Sequence, residues 1–198
     1  MELELCGVKI KISFLFFAVL TLLFGGGVSR EIKLALLFSA LHEAGHLAAL
    51  LSVKSKPREI RLGAFGMTIV RGDGFTGYRE DFAVALCGPL VNVVFCVFFL
   101  VLYRLKGGEG IFALFAVNLA IAAFNLAPVF SLDGGRMLEA VLLWAGFGGR
   151  TDCILKTVSF FTLVLMMSAG FLVLIKSGCN FTLLLVSVYL TVMLFFKS

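Results

Sequence analysis

The chain has 198 residues, of which 61% are hydrophobic and 15% are charged. Soluble domains carry about 25% charged residues, so this composition excludes an ordinary soluble protein and indicates a membrane protein. The net charge of +5 reflects where Lys and Arg lie relative to a bilayer and does not indicate a nucleic-acid partner. Five cysteines without a CxxC pair predict small apolar side chains in or near the membrane, and no disulfide framework.

Six apolar runs predict an all-α polytopic membrane protein, organised as a single domain over residues 1–198. Each run is close to the ~20 residues that cross a bilayer. The predicted spans are 12–28, 34–53, 82–103, 110–132, 157–175 and 177–196. No small-x-small cleavage site follows the first run, which favours a retained helix over a signal peptide. Residues 137–149 predict a short amphipathic helix at the cytosolic surface.

The basic residues predict the orientation of these spans. With the N-terminus in the cytosol, twelve of the 17 Lys and Arg fall on the cytosolic side and five on the outer side. This asymmetry predicts a multi-pass protein of the cell membrane with both termini cytosolic. The second span then runs from outside to inside, and His46 lies nearer its cytosolic end than His42.

Two polar stretches predict a small β-hairpin or sheet at the cytosolic membrane edge. Residues 2–13 alternate charged and apolar side chains, as a short strand or hairpin does, although a frayed tail fits equally well. Residues 54–80 contain two short alternating runs, at 60–62 and 67–70, and a loop through Gly72-Asp73-Gly74. The second stretch is either a sheet edge that pairs with an extended substrate or a surface hairpin held by lipid head groups.

The second span contains the motif HEAGH at 42–46, which holds both histidines of the chain. Residues four apart lie on one face of a helix, so His42 and His46 can point at one metal ion. Glu43 can act as general base on a water molecule, as in zinc hydrolases. Ionisable groups within a membrane span are costly and are functional by default. The alternative, two histidines satisfied within a protein core, fits this spacing less well.

The fourth apolar run ends in the segment NLAPVFSLDGGR at 125–136. Pro128 disfavours helix at the residue before it, and paired glycines permit a tight turn. Asp133 is therefore predicted on a bent, non-helical segment, which at membrane depth must be buried in protein or line a wet cavity. The predicted topology brings Asp133 to the cytosolic half of the membrane, where His46 also lies.

A catalytic zinc takes three protein ligands and keeps one position for water. Asp133 is the best candidate for the third ligand, because Asp73, Asp81 and Asp152 are predicted at the surface or in a loop. Asn125 is a candidate hydrogen-bond donor to an oxyanion or to the substrate backbone. The predicted reaction class is metal-assisted amide hydrolysis.

Three motifs resemble the site-2 protease family of intramembrane zinc metalloproteases. They are HEAGH at 42–46, GPLVN at 88–92 and NLAPVFSLDGG at 125–135. The resemblance implies six spans and a zinc ion on the cytosolic side of mid-membrane. It implies Glu43 as the base and three zinc ligands, His42, His46 and Asp133.

The likeness is greatest to the sporulation branch of this family, which suggests a sporulation pro-sigma factor as the membrane-associated substrate. That branch also suggests inhibitory membrane proteins as further partners. Ser131 stands where many relatives have Pro. We expect neither a C-terminal CBS domain nor an inserted PDZ domain.

Two other functions use the same residues. A metal transporter or metal sensor needs polar groups along a path through the membrane, and the last two spans offer none. An inactive adaptor would lack one of the residues needed for catalysis, whereas this sequence keeps all four of them: His42, Glu43, His46 and Asp133.

Overall fold

The computed structural model describes residues 2–5, 8–12, 30–53, 57–63, 66–71 and 77–196, and it describes the strands by their backbone alone. The chain divides into two compact units, Met1–Phe124 and Asn125–Ser198. The predicted first span lies outside the described residues except for Ile12, which ends a strand.

The first unit contains a four-stranded sheet with the order β1-β2-β3-β4. Its strands are β1 (Glu2–Leu5), β2 (Val8–Ile12), β3 (Pro57–Gly63) and β4 (Gly66–Arg71). The β2–β3 pair is parallel, and the β1–β2 and β3–β4 pairs are antiparallel. The two short strands predicted between residues 54 and 80 correspond to β3 and β4. The location of this sheet at the cytosolic membrane edge stays a prediction.

Two long helices of the first unit pack as an antiparallel pair. They are α1 (Arg30–Ser52) and α2 (Tyr78–Lys106). Near the start of α1, the Phe38 ring lies 5.3 Å from the ring of Phe95, and near its end His46 reaches Val84. A Cβ atom at Gly45 would come within 2.8 Å of the Cys87 carbonyl oxygen, so this glycine permits the close crossing.

The third helix of this unit, α3 (Glu109–Asn125), is shorter than the predicted span 110–132. The helix ends at Asn125, and residues 126–132 follow as turns without a helical backbone. Hydropathy alone placed the end too late, because the residues after Asn125 are as apolar as the helix itself. Pro128 disfavours helical backbone at Ala127, which favours an ending before it.

The second unit consists of α4 (Asp133–Trp144), α5 (Thr151–Ser177) and α6 (Thr182–Phe196). A short 3₁₀ turn, Gly148–Arg150, precedes α5. Helices α5 and α6 form a hairpin in which a Cβ atom at Gly170 would lie 2.7 Å from the backbone nitrogen of Leu184. Helix α4 overlaps the amphipathic helix predicted at 137–149, but it begins four residues earlier.

Three helical stretches among the described residues are long and apolar enough to cross a membrane: Ile32–Ser52, Tyr78–Lys106 and Gly148–Ser177. Helices α3 and α6 are apolar but shorter. Many large apolar side chains on these helices are exposed, including Leu105, Phe161, Leu165 and Phe196. Helices this long with apolar outer faces are typical of a membrane protein. The count of six spans stays a prediction.

Candidate metal centre

His42 and His46 lie on the buried face of α1. The buried positions recur every four residues, at Phe38, His42, His46 and Leu50, so both imidazoles belong to the stripe that packs within the first unit. His42 is 3% exposed and His46 is 5% exposed. Two buried histidines on a membrane-length helix need specific polar partners, because an unsatisfied polar group in an apolar environment is costly.

Asn92 of α2 is the partner of His42. The Asn92 Oδ1 atom lies 2.7 Å from His42 Nδ1. The amide orientation follows from the other side of the group, where Nδ2 donates to Asn118 Oδ1 at 3.1 Å and to the Phe38 carbonyl at 3.4 Å. Because both neighbours on that side accept hydrogen bonds, Oδ1 must face His42. Nδ1 of His42 therefore carries the hydrogen.

His46 is held in the same tautomer by a backbone carbonyl. Its Nδ1 atom donates to the Val84 carbonyl oxygen at 2.7 Å. A Cβ atom at Gly88 would overlap the His46 ring, so the absence of a side chain at this position makes room for the imidazole. Gly88 of the GPLVN motif therefore shapes the histidine site.

The two Nε2 atoms lie 3.2 Å apart. With both ring hydrogens on Nδ1, each Nε2 presents a lone pair, so the distance is not that of a hydrogen bond between the rings. Two nitrogens bound to one tetrahedral zinc at 2.0–2.1 Å are separated by about 3.3 Å. The paired imidazoles thus have the tautomer and the spacing that a zinc ion requires.

Glu43 follows His42 on α1 and is half-buried. A helical step of about 100° separates it from His42, so the carboxylate lies beside the histidine stripe and not within it. A partly accessible carboxylate next to a metal site is suited to exchange protons with water.

Asp133 is the first residue of α4, which corrects the prediction that it lies on a non-helical segment. The extended residue is Leu132, and the bend covers 126–132. Asp133 is 7% exposed, and one of its carboxylate oxygens lies 4.0 Å from the guanidinium of the exposed Arg136.

The paired glycines after Asp133 have helical backbones and are not the tight turn that the sequence suggested. A Cβ atom at Gly134 would collide with the Leu126 carbonyl, and one at Gly135 with the Val129 carbonyl. The glycines therefore let the preceding loop pack against the first turn of α4. This packing fixes the position of Asp133 at the start of the helix.

The loop itself is held by a buried hydroxyl. The backbone N–H of Phe130 donates to Ser159 Oγ of α5 at 2.9 Å, and Val129 beside it is 1% exposed. Asn125, the predicted oxyanion donor, is the last residue of α3 and is half-buried. Its catalytic role stays a prediction.

Among the described residues, His42, His46 and Asp133 are all buried, and each offers one atom that could bind a metal ion. Two imidazoles and one carboxylate are a donor set found in catalytic zinc sites, with one position left for water. The donor chemistry and the histidine geometry both fit zinc.

Sequence reasoning missed two residues of this centre. Asn118 carried no motif, and Asn92 entered only as the last residue of the GPLVN motif, without a role of its own. The available signal was an asparagine inside each of two apolar spans, since an amide in a bilayer requires a hydrogen-bonding partner.

The fold is that of site-2 protease. The structure of the site-2 protease from Methanocaldococcus jannaschii matches with a TM-score of 0.58 and 21% identity, over 96% of this chain and 91% of that chain. No family model matches the sequence.

A curated zinc metalloprotease and a curated sporulation protein are similar to this chain in sequence. A zinc metalloprotease of Methanocaldococcus jannaschii is 26% identical over 155 residues, which cover 70% of this chain and 44% of that protein. Stage IV sporulation protein FB of Bacillus subtilis is 32% identical over 116 residues, which cover 57% of this chain and 40% of that protein. These comparisons confirm the resemblance predicted from the motifs. The chain spans between 40% and 50% of the length of the curated relatives it matches.

Proposed function

We propose that this protein is an intramembrane zinc endopeptidase that hydrolyses a peptide bond in a membrane-associated protein. The observation that carries the proposal is the histidine pair of α1. Both Nδ1 atoms are engaged by buried acceptors, and the Nε2 atoms are 3.2 Å apart on a membrane-length helix. A zinc metalloprotease among the similar proteins supports the same activity.

In this proposal His42, His46 and Asp133 hold the zinc ion. When bound, zinc supplies an activated water and polarises the peptide carbonyl. Glu43 accepts a proton from the water and returns it to the leaving amine, which suits a half-buried carboxylate beside the histidines. Asn125 donates a hydrogen bond to the developing oxyanion or to the substrate backbone.

The substrate enters as an extended segment. Strand β4 lies at one edge of the four-stranded sheet, and an edge strand can accept a further strand through main-chain hydrogen bonds. A sporulation pro-sigma factor is the substrate we propose, since one similar protein is a sporulation protein. Inhibitory membrane proteins are proposed as further partners.

The decisive experiment is the substitution Glu43→Gln in purified protein reconstituted in lipid. We expect the variant to bind zinc with the wild-type stoichiometry and to lose at least 100-fold in cleavage rate of a pro-sigma factor or other membrane peptide, because general base catalysis contributes about 10²–10⁴-fold. Glu139→Gln, which changes an exposed carboxylate of α4, is the matched control and keeps full activity.

Cleavage by Glu43→Gln at the wild-type rate would remove Glu43 from the mechanism. Zinc uptake by proteoliposomes, lost in His46→Ala and without any peptide cleavage by the wild type, would instead support a metal transporter.

A further inference from the structure

A chain of buried amides leads from α3 to the histidine pair. Asn118 Nδ2 donates to the Leu114 carbonyl at 2.9 Å, and Asn118 Oδ1 accepts from Asn92 Nδ2 at 3.1 Å. Asn92 Oδ1 then accepts from His42 Nδ1 at 2.7 Å. Both asparagines are 0% exposed, so water cannot substitute for any of these bonds.

The direction of this series of hydrogen bonds is set at Asn118. A backbone carbonyl can only accept, so Asn118 must turn its NH₂ group toward Leu114 and its oxygen toward Asn92. The same logic turns the NH₂ group of Asn92 toward Asn118 and its oxygen toward His42. The hydrogen of His42 is thereby directed to Nδ1, and Nε2 keeps the lone pair that a metal needs.

We propose that Asn118 is a positioning residue for the metal centre, acting through Asn92 to fix the tautomer and ring orientation of His42. The inference rests on the proposed function in so far as His42 is a zinc ligand. The tautomer of His46 does not depend on the two asparagines, because its Nδ1 donates to the Val84 carbonyl of α2.

Replacement of Asn118 by Leu removes the nearer of the two acceptors that orient Asn92, at 3.1 Å, and leaves only the longer contact with the Phe38 carbonyl at 3.4 Å. The Asn92 amide can then reverse and present its NH₂ group to His42, which would favour the His42 tautomer with hydrogen on Nε2. A hydrogen on Nε2 competes with zinc for the same lone pair. Loss of a partner that orients a metal ligand typically costs 10–100-fold in metal affinity.

The chain contains only two histidines, which makes the tautomer measurable. ¹⁵N-histidine labelling of the full protein gives four ring nitrogens, and the spectrum of the zinc-free protein in lipid at alkaline pH shows which of them carry hydrogen. We expect both wild-type histidines to carry hydrogen on Nδ1. In Asn118→Leu we expect His42 to shift toward Nε2–H, His46 to stay unchanged, and the zinc dissociation constant to rise by about 10–100-fold in chelator competition.

Two variants complete the test. Asn118→Asp keeps a carboxyl oxygen that can accept from Asn92 Nδ2, so we expect it to retain the wild-type tautomer. Ser187→Ala removes another fully buried polar side chain, one that bonds only within its own helix, and should change neither readout.

The proposal is overturned by Nε2–H on His42 in the wild type or in Asn118→Asp, or by an unchanged His42 tautomer in Asn118→Leu, whatever happens to zinc affinity. If Asn118→Leu does not fold, the spectra of the wild type and of Asn118→Asp decide. None of these measurements uses a peptide. A wild type that binds zinc but cleaves nothing would therefore remove the proposed protease activity and leave this inference standing.

Discussion

The imidazole of His46 occupies the space that a side chain at position 88 would fill. The ring lies against the α2 backbone at Gly88, and its Nδ1 donates a hydrogen bond to the Val84 carbonyl. The ring therefore cannot move away from α2 without losing that hydrogen bond. A buried ring held in this way keeps its Nε2 atom in one place before a metal arrives, which reduces the cost of ordering the ligand on binding.

Gly88→Ala should therefore displace the His46 ring. We expect zinc affinity to fall by about 10–100-fold, as for other changes around a metal ligand, and the protein to lose about 1–3 kcal/mol of stability through overpacking. Chelator competition and thermal unfolding in detergent measure the two effects.

Gly110→Ala is the matched control, because a Cβ atom there meets nothing within 4 Å on a helix. It should leave zinc affinity unchanged. Wild-type zinc affinity in Gly88→Ala would show that the His46 ring moves freely, contrary to the packing described.

The element that most constrains Asp133 is the first turn of α4 with the loop folded against it. Gly135 lies against the Val129 carbonyl, and Ser159 of α5 binds the next residue of the loop through the N–H of Phe130. Gly135→Ala would put a methyl group into backbone atoms, which cannot yield as a flexible side chain does.

We expect Gly135→Ala to destabilise the protein by about 1–3 kcal/mol and to lower its melting temperature in detergent. Gly149→Ala, where a Cβ atom meets nothing within 4 Å, should stay near wild type or gain slightly from the reduced freedom of the unfolded chain. Equal melting temperatures of the two variants would contradict the close packing of loop and helix.

The elements differed in how far the sequence could predict them. Helices α1, α2 and α5 follow from long apolar runs, and the histidine pair follows from i, i+4 spacing. The end of α3 and the start of α4 did not follow, because hydropathy reports burial and does not report where a helix stops. Asn118 could not be assigned to His42 because its effect passes through Asn92, 26 positions away in the chain.

At the scale of the whole molecule, the membrane orientation rests on the distribution of Lys and Arg and can be tested with the protein's own cysteines. Cys153 near the start of α5 and Cys179 after its end are both exposed and unpaired by disulfide. A single membrane-length helix separates them, so the two thiols must lie on opposite sides of the bilayer if α5 spans it. The positive-inside rule predicts that Cys153 lies in the cytosol and Cys179 outside.

A membrane-impermeant maleimide should therefore label Cys179 from outside intact cells and Cys153 only in inverted vesicles. Cys179→Ser and Cys153→Ser identify which thiol reacts, and permeabilised cells give the total reactivity of each. Labelling of Cys153 from outside would reverse the orientation and with it the cytosolic location proposed for the metal centre. Labelling of both thiols from one side would show that α5 does not cross the membrane, because a helix of 27 residues that spans the bilayer cannot have both ends on one face.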